Sequence, residues 1–67
     1  YEANYDMVIR NDYSTSAAKV DILKKGQLVK IRDMKSTGQD GWGLIEHGKW
    51  VCIEDWNKGM TYLTKVN

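Results

Sequence analysis

Residues 40–55 read Asp-Gly-Trp-Gly-Leu-Ile-Glu-His-Gly-Lys-Trp-Val-Cys-Ile-Glu-Asp and predict a β-hairpin. Two apolar segments, opening at Trp42 and Trp50, are joined by a short polar turn at His47 and Gly48. Valine, isoleucine and tryptophan favour a pleated, half-buried strand over a helix. Glycine supplies the positive φ that a tight turn needs, and histidine tolerates it better than a β-branched residue does.

A two-residue turn would also fix the pairing of the two strands. The predicted pairs are Glu46 with Lys49, Ile45 with Trp50, Leu44 with Val51, and Gly43 with Cys52. This register places Ile45, Trp50 and Cys52 on one face, and Trp42, Leu44, Val51 and Ile53 on the other. Both faces are apolar, whereas a small barrel has only one inside. One face must therefore be partly exposed, or a loop must cover it.

The chain has 67 residues, which is enough for one domain and one core. We interpret residues 1–4 as a linker remnant and residues 5–67 as the domain. One cysteine excludes an internal disulfide, and one cysteine with one histidine cannot build a structural zinc site. No cofactor is predicted, and the stability must come from burial of apolar surface.

The composition of the chain argues against nucleic acid and membrane as partners. Ten basic and nine acidic residues are spread along the chain and give a net charge of +1, whereas nucleic-acid binding requires a clustered basic surface. No apolar run approaches the roughly 20 residues of a membrane span. The chain begins at Tyr1 without a signal-peptide pattern, and we interpret it as a segment of a longer protein.

Short alternating segments separated by polar turns predict an all-β fold. The predicted strands outside the hairpin are Tyr5–Arg10, Ala17–Leu23, Gln27–Met34 and Thr61–Val66, with loops or turns at Asn11–Ser16, Lys24–Gly26, Lys35–Gly41 and Asp55–Gly59. No window sustains the apolar spacing of a helix. Five or six antiparallel strands in so short a chain favour a small closed or half-closed barrel over a sandwich, which takes about 100 residues.

No catalytic arrangement is evident. His47 is expected at the exposed tip of the hairpin, whereas Cys52 lies in an apolar strand and is best interpreted as a small buried hydrophobe. Glu54 and Asp55 are adjacent, so on a strand they point to opposite faces. The domain by itself is not predicted to be an enzyme.

The aromatic residues indicate recognition. The chain has three tryptophans and four tyrosines but no phenylalanine. A tryptophan on the outer face beside Tyr13 would form a groove that stacks on peptide or sugar surfaces. In the alternative interpretation, Trp42 and Trp50 both close the ends of the barrel. Trp56 lies in a polar turn and is expected to be exposed.

Three motifs in order resemble the bacterial SH3 domain family. They are Met7–Arg10 followed by the polar loop Asn11–Ser16; the strand, Lys-Gly turn and strand of Val20–Ile31; and Gly41–Ile45 followed by Gly48–Val51. The resemblance extends from Met7 to about Val66. Val8 stands where the family usually has asparagine, and Tyr13 where it often has proline.

The resemblance implies an SH3-like barrel that targets a larger protein to the bacterial cell wall, and hence an extracellular location. Such domains are commonly linked to peptidoglycan hydrolases, including phage endolysins and autolysins, and bind the wall peptide or its cross-bridge. The predicted groove lies between the Asn11–Ser16 loop, the hairpin and the Trp56 turn. Its predicted ligand-binding residues are Asn11, Asp12, Tyr13, Trp42, Trp50, Glu54, Trp56 and Tyr62. The alternative is an interaction domain that binds a peptide or a neighbouring domain of its own parent protein.

Overall fold

The computed structural model describes residues 1–66, so Asn67, the last residue of the predicted domain, lies outside the described part. Eight strands are present: β1 (Glu2–Ala3), β2 (Met7–Arg10), β3 (Lys19–Leu23), β4 (Asp33–Ser36), β5 (Asp40–Glu46), β6 (Lys49–Asp55), β7 (Met60–Thr61) and β8 (Leu63–Thr64). Residues 1–66 form no helix, and hence none that could cross a membrane. The prediction of an all-β chain is confirmed.

The strands form two antiparallel sheets. The larger sheet has the order β3-β2-β6-β5-β4, with β7 pairing to the end of β6, and the smaller sheet pairs β1 with β8. Across residues 1–66 these strands do not close into a continuous barrel, because β3 and β4 remain as edges of the larger sheet.

The core lies between the two sheets. Its buried side chains come from β1, β2, β3, β6 and β8, namely Ala3, Ile9, Leu23, Val51, Ile53 and Leu63. Partly buried side chains pack against this cluster, among them Val29 and Ile31 from the segment between β3 and β4, and Ile45 from β5. Leu23, Val51 and Leu63 are at most 1% exposed. Burial of this apolar surface is the main source of stability in a domain without cross-links.

The first four residues belong to this packed structure, in contrast to the linker remnant predicted from the sequence. Ala3 is 1% exposed and lies opposite Leu63 in the smaller sheet. The backbone N–H of Val29 donates to the carbonyl of Tyr1 at 2.8 Å. A two-residue strand is too short to show an alternating pattern, and alanine gives little hydrophobic signal of its own.

The hairpin forms as predicted, but its register is shifted by one residue in the middle. Glu46 lies opposite Lys49, as expected, whereas Trp50 lies opposite Leu44 rather than Ile45. The predicted register is restored near Ile53, because Trp42 lies opposite Cys52 but the preceding residue, Gly41, lies opposite Glu54. Each strand therefore has one extra residue, a β-bulge.

The turn geometry explains the first bulge. Gly48 has φ of 72°, but no non-glycine residue among those described has positive φ, so His47 does not adopt the conformation of a mirror-image turn. An ordinary turn twists the strands less favourably, and the extra residue Ile45 takes up the mismatch. As a result Ile45 packs towards the core, while Trp42, Leu44, Trp50 and Cys52 share the opposite face.

The predicted strand Gln27–Met34 is wrong. Its first part is an extended segment that bonds to the first residues, with a bridge between Leu28 and Glu2, and β4 begins only at Asp33. The predicted loop Lys35–Gly41 is correspondingly shorter, because β4 continues to Ser36. The alternating pattern of residues 27–34 does not reveal that the first part of this segment bonds to the first residues of the chain.

Gly43 is the position where the core leaves no room for a side chain. A Cβ there would lie 2.8 Å from Ile31 Cδ1 and 2.9 Å from Ile53 Cδ1. Overpacking costs about 1–3 kcal/mol and exceeds the ~0.4–1 kcal/mol gained from a stiffer unfolded chain, so we expect Gly43→Ala to lower the free energy of unfolding by about 1–2 kcal/mol. Urea unfolding measures this. The control is Gly41→Ala, whose Cβ would meet its nearest neighbour at an ordinary 3.5 Å; equal destabilisation of both variants would contradict the explanation.

Candidate functional site

An apolar groove lies where β4, β5 and the end of β6 meet the turn at Trp56. We call it the Trp56 groove. Its volume is about 270 Å³, and its lining residues are Tyr1, Met34, Lys35, Ser36, Gly41, Trp42, Ile53, Glu54 and Trp56. Most of these side chains are apolar, and Lys35 and Glu54 supply one charge of each sign.

Trp56 is 50% exposed and is held at the edge of the groove by two hydrogen bonds. Its backbone N–H donates to the carbonyl of Gln39 at 2.9 Å, and its indole Nε1 donates to Glu54 Oε2 at 2.8 Å. The ring lies over Gly41, where a Cβ would be 3.5 Å from Trp56 Cζ2. An exposed aromatic ring that is already ordered loses little entropy when a ligand stacks on it.

Trp42 is buried, with 2% of its surface exposed. Its indole Nε1 donates to Asp40 Oδ1 at 2.8 Å, and the hydroxyl of Thr37 donates to the same oxygen. Asp40 therefore satisfies the one polar atom of a large buried side chain and also ties down the loop between β4 and β5.

A second cavity of about 280 Å³ lies nearby and is more polar. Its lining includes Cys52, Tyr62 and the carboxylates of Asp40 and Asp55. Burial, followed by the charges of Asp40 and Asp55, raises the pKa of Cys52 to about 12. The thiol is thus protonated at neutral pH and donates to the carbonyl of Glu54 at 3.4 Å.

The buried state of Cys52 agrees with its interpretation as a packing residue. His47 lies exposed in the hairpin turn, away from the buried middle of β6 that contains Cys52. Within residues 1–66, no cluster of histidine, cysteine and carboxylate side chains could hold a metal ion.

The predicted ligand-binding residues are divided among three places. Trp42, Glu54 and Trp56 meet in the Trp56 groove. Tyr13 packs edge-on against Trp50 with ring centroids 5.0 Å apart. Tyr62 lines the second cavity and packs against Tyr5, with centroids 6.1 Å apart.

Two further predicted residues, Asn11 and Asp12, lie in the same loop as Tyr13. Asn11 and Asp12 are exposed, and Asp12 Oδ1 accepts the backbone N–H of Tyr13 at 2.8 Å. Neither residue lines either cavity described above. Of the residues predicted to form one groove, only those at the Trp56 end lie together. Trp56 is exposed, as expected from its polar turn.

Sequence reasoning missed one wall of the groove. From the sequence, Met34 is expected at the end of a predicted strand and Ser36 in the following loop, whereas both belong to β4. Asp40 was also missed, although its spacing gave a signal. It stands two residues before Trp42 on the same strand, and such residues lie on one face.

No protein-family model, curated protein or solved structure matches this chain in comparisons with each.

Asp40→Ala should leave the buried indole N–H of Trp42 without an acceptor. We expect the free energy of unfolding to fall by about 1–3 kcal/mol, the typical cost of an unsatisfied buried donor. Urea unfolding followed by tryptophan fluorescence measures it. The control Asp12→Ala removes an exposed carboxylate and should change stability by less than about 0.5 kcal/mol. Unchanged stability of Asp40→Ala would refute the role of Asp40.

The raised pKa of Cys52 predicts a loss of stability at high pH. Between its ordinary value of 9.0 and about 12, the unfolded chain gives up the thiol proton while the folded chain keeps it. Stability therefore falls as pH rises through this window, and the contribution is fully present below pH 9.

Cys52→Ala isolates this effect. The free energy of unfolding of the parent protein, relative to that of Cys52→Ala, should decrease between pH 9 and pH 12 in chemical denaturation. Burial also raises the pKa of Tyr62, which is present in both proteins; because Cys52 contributes to that shift, the difference reports the thiol together with its interaction with Tyr62. A difference that stays constant with pH would show that the thiol titrates alike in the two states.

Proposed function

We propose that this chain is a non-catalytic, SH3-like binding module that holds a larger protein on the bacterial cell wall. Its ligand is a peptide stem or cross-bridge of peptidoglycan, bound in the Trp56 groove. The observation that carries the proposal is an exposed, hydrogen-bonded indole at the edge of an apolar groove.

Several features of the sheets support an SH3-like architecture. The larger sheet is antiparallel throughout, and bulges interrupt its pairing at Ile9/Arg10, Gly41/Trp42 and Leu44/Glu46. Bulges bend a sheet and increase its twist, which is what wraps a small sheet around a core. The smaller sheet packs its buried residues, Ala3 and Leu63, against that core.

The chemistry of the groove fits a short peptide. Met34, Ile53 and Trp56 provide apolar contact, while Lys35 and Glu54 can pair with a carboxylate and an ammonium group. Peptidoglycan peptides carry both groups. The volume of about 270 Å³ is near the lower end of the ~300–1,000 Å³ of small-ligand pockets, which suits a few atoms of backbone and one side chain.

A second candidate function is an interaction domain for a neighbouring part of the parent protein. Apolar side chains outside the groove favour it, since Leu28 is 64% exposed and Val20 is 48% exposed. A neighbouring domain would cover them. This alternative predicts weak or absent binding to isolated wall material.

Trp56→Ala tests the wall-binding proposal. Co-sedimentation with purified peptidoglycan should give an affinity roughly tenfold or more below that of the parent, as expected for loss of an aromatic anchor. The matched control is Tyr5→Ala, because Tyr5 is 47% exposed but lines neither cavity. Circular dichroism confirms that both variants are folded.

The remaining outcomes are distinct. Parent-like binding by folded Trp56→Ala would remove the groove from the proposal, and no binding by the parent protein to any wall type would favour the neighbouring-domain alternative. Glu54→Gln keeps an acceptor for the indole but loses the charge, so weaker binding by this variant would identify the ammonium contact.

A further inference from the structure

The two edge strands of the larger sheet carry the same local contact. On β4, Asp33 Oδ1 accepts the backbone N–H of Met34 at 2.8 Å. On β3, Asp21 Oδ1 accepts the backbone N–H of Ile22 at 2.8 Å. Edge strands present unpaired backbone groups that invite pairing with another chain, and these carboxylates engage one such donor on each edge.

The register shows why the N–H of Met34 points away from the sheet. Asp33 is the partner of Leu44, and the N–H of Arg32 also donates to the carbonyl of Leu44, at 2.7 Å. Arg32 and Asp33 thus both lie opposite Leu44, as in a β-bulge, and Asp33, the second residue of the bulge, bonds to β5. The hydrogen-bonding direction of the backbone alternates along a strand. The backbone N–H of Asp33 therefore points towards β5, and the backbone N–H of Met34 points away from the sheet.

The side chains of β4 match a second copy of the same strand. Met34 is 52% exposed and lies between an acidic and a basic residue, Asp33 and Lys35. In antiparallel pairing about a two-fold axis at Met34, each Asp33 would lie opposite Lys35 of the other copy. Cross-strand pairs of opposite charge stabilise a sheet, so the edge is complementary to itself.

We propose that the β4 edge is an interaction surface for a second copy of this chain, and that the Asp33 carboxylate keeps it closed in the free protein. Pairing requires the outward N–H of Met34 as a donor, and the carboxylate occupies that donor. The proposal concerns self-association, but Met34 and Lys35 also line the Trp56 groove, so pairing of two copies and ligand binding would share these two residues.

Asp33→Ala opens the edge. We expect its dimer dissociation constant, from sedimentation equilibrium, to fall roughly tenfold or more below that of the parent, because the release of two occupied N–H groups per dimer outweighs the loss of the two cross-strand pairs between Asp33 and Lys35. The net charge rises from +1 to +2 (1 + 1), which by itself opposes association. Asp33→Val lacks the acceptor too and favours a strand, so it serves if the alanine variant folds poorly.

Two controls separate the hydrogen bond from the charge. Asp33→Asn retains an acceptor for the N–H of Met34 but loses the charge pair with Lys35 of the other copy, so it should associate no more tightly than the parent protein. Asp12→Ala removes the same type of contact from a loop and should also behave like the parent. Parent-like association of folded Asp33→Ala, or association of Asp33→Asn as strong as that of Asp33→Ala, would overturn the proposal.

A cysteine at the symmetry axis locates the contact. Residues facing each other in a hydrogen-bonded pair have Cα atoms about 5.5 Å apart, within reach of a disulfide. In an Asp33→Ala, Cys52→Ala background, Met34→Cys should therefore form disulfide dimers on mild oxidation, whereas Ile22→Cys on the other edge should not. Equal cross-linking at both positions would contradict pairing through β4.

Discussion

The pairing of β5 with β6, with one bulge on each strand, is the constraint on which the rest of the structure depends. Because the register shifts by one residue and then returns, Val51 and Ile53 both enter the core while Trp42 and Cys52 face the other side. Gly43 lies opposite Val51 and leaves space that the side chains of Ile31 and Ile53 fill. A hairpin without bulges would place Trp42 on the same face as Val51 and Ile53.

The same pairing also positions the groove. Asp40 starts β5 and orders the indole of Trp42, while Glu54 near the end of β6 orders the indole of Trp56. Two carboxylates from paired strands thus fix two tryptophans, one buried and one exposed. The buried ring of Trp42 packs within the fold, and the exposed ring of Trp56 forms the edge of the groove.

Much of this could be predicted from the sequence. Alternation predicted the all-β class, the polar turn at His47 and Gly48 predicted the hairpin, and the polar turn around Trp56 predicted its exposure. The register could not be predicted, because it depends on the negative φ of His47, which composition does not reveal. The role of residues 1–4 and the start of β4 were missed because both depend on distant hydrogen-bond partners. The site was therefore predicted at its Trp56 end and not at its β4 wall.

The antiparallel pairing of β1 with β8 has a mechanical consequence. Glu2 lies opposite Thr64, so both chain ends leave the smaller sheet on the same side. Tension applied at the two ends of the described chain would therefore peel β1 and β8 apart, starting at the pair Glu2 and Thr64. Their hydrogen bonds would break one after another instead of sharing the load. Further tension would have to break the bonds that join Tyr1 and Ala3 to the segment 26–29, whereas the longer β5–β6 ladder does not connect the two pulled ends.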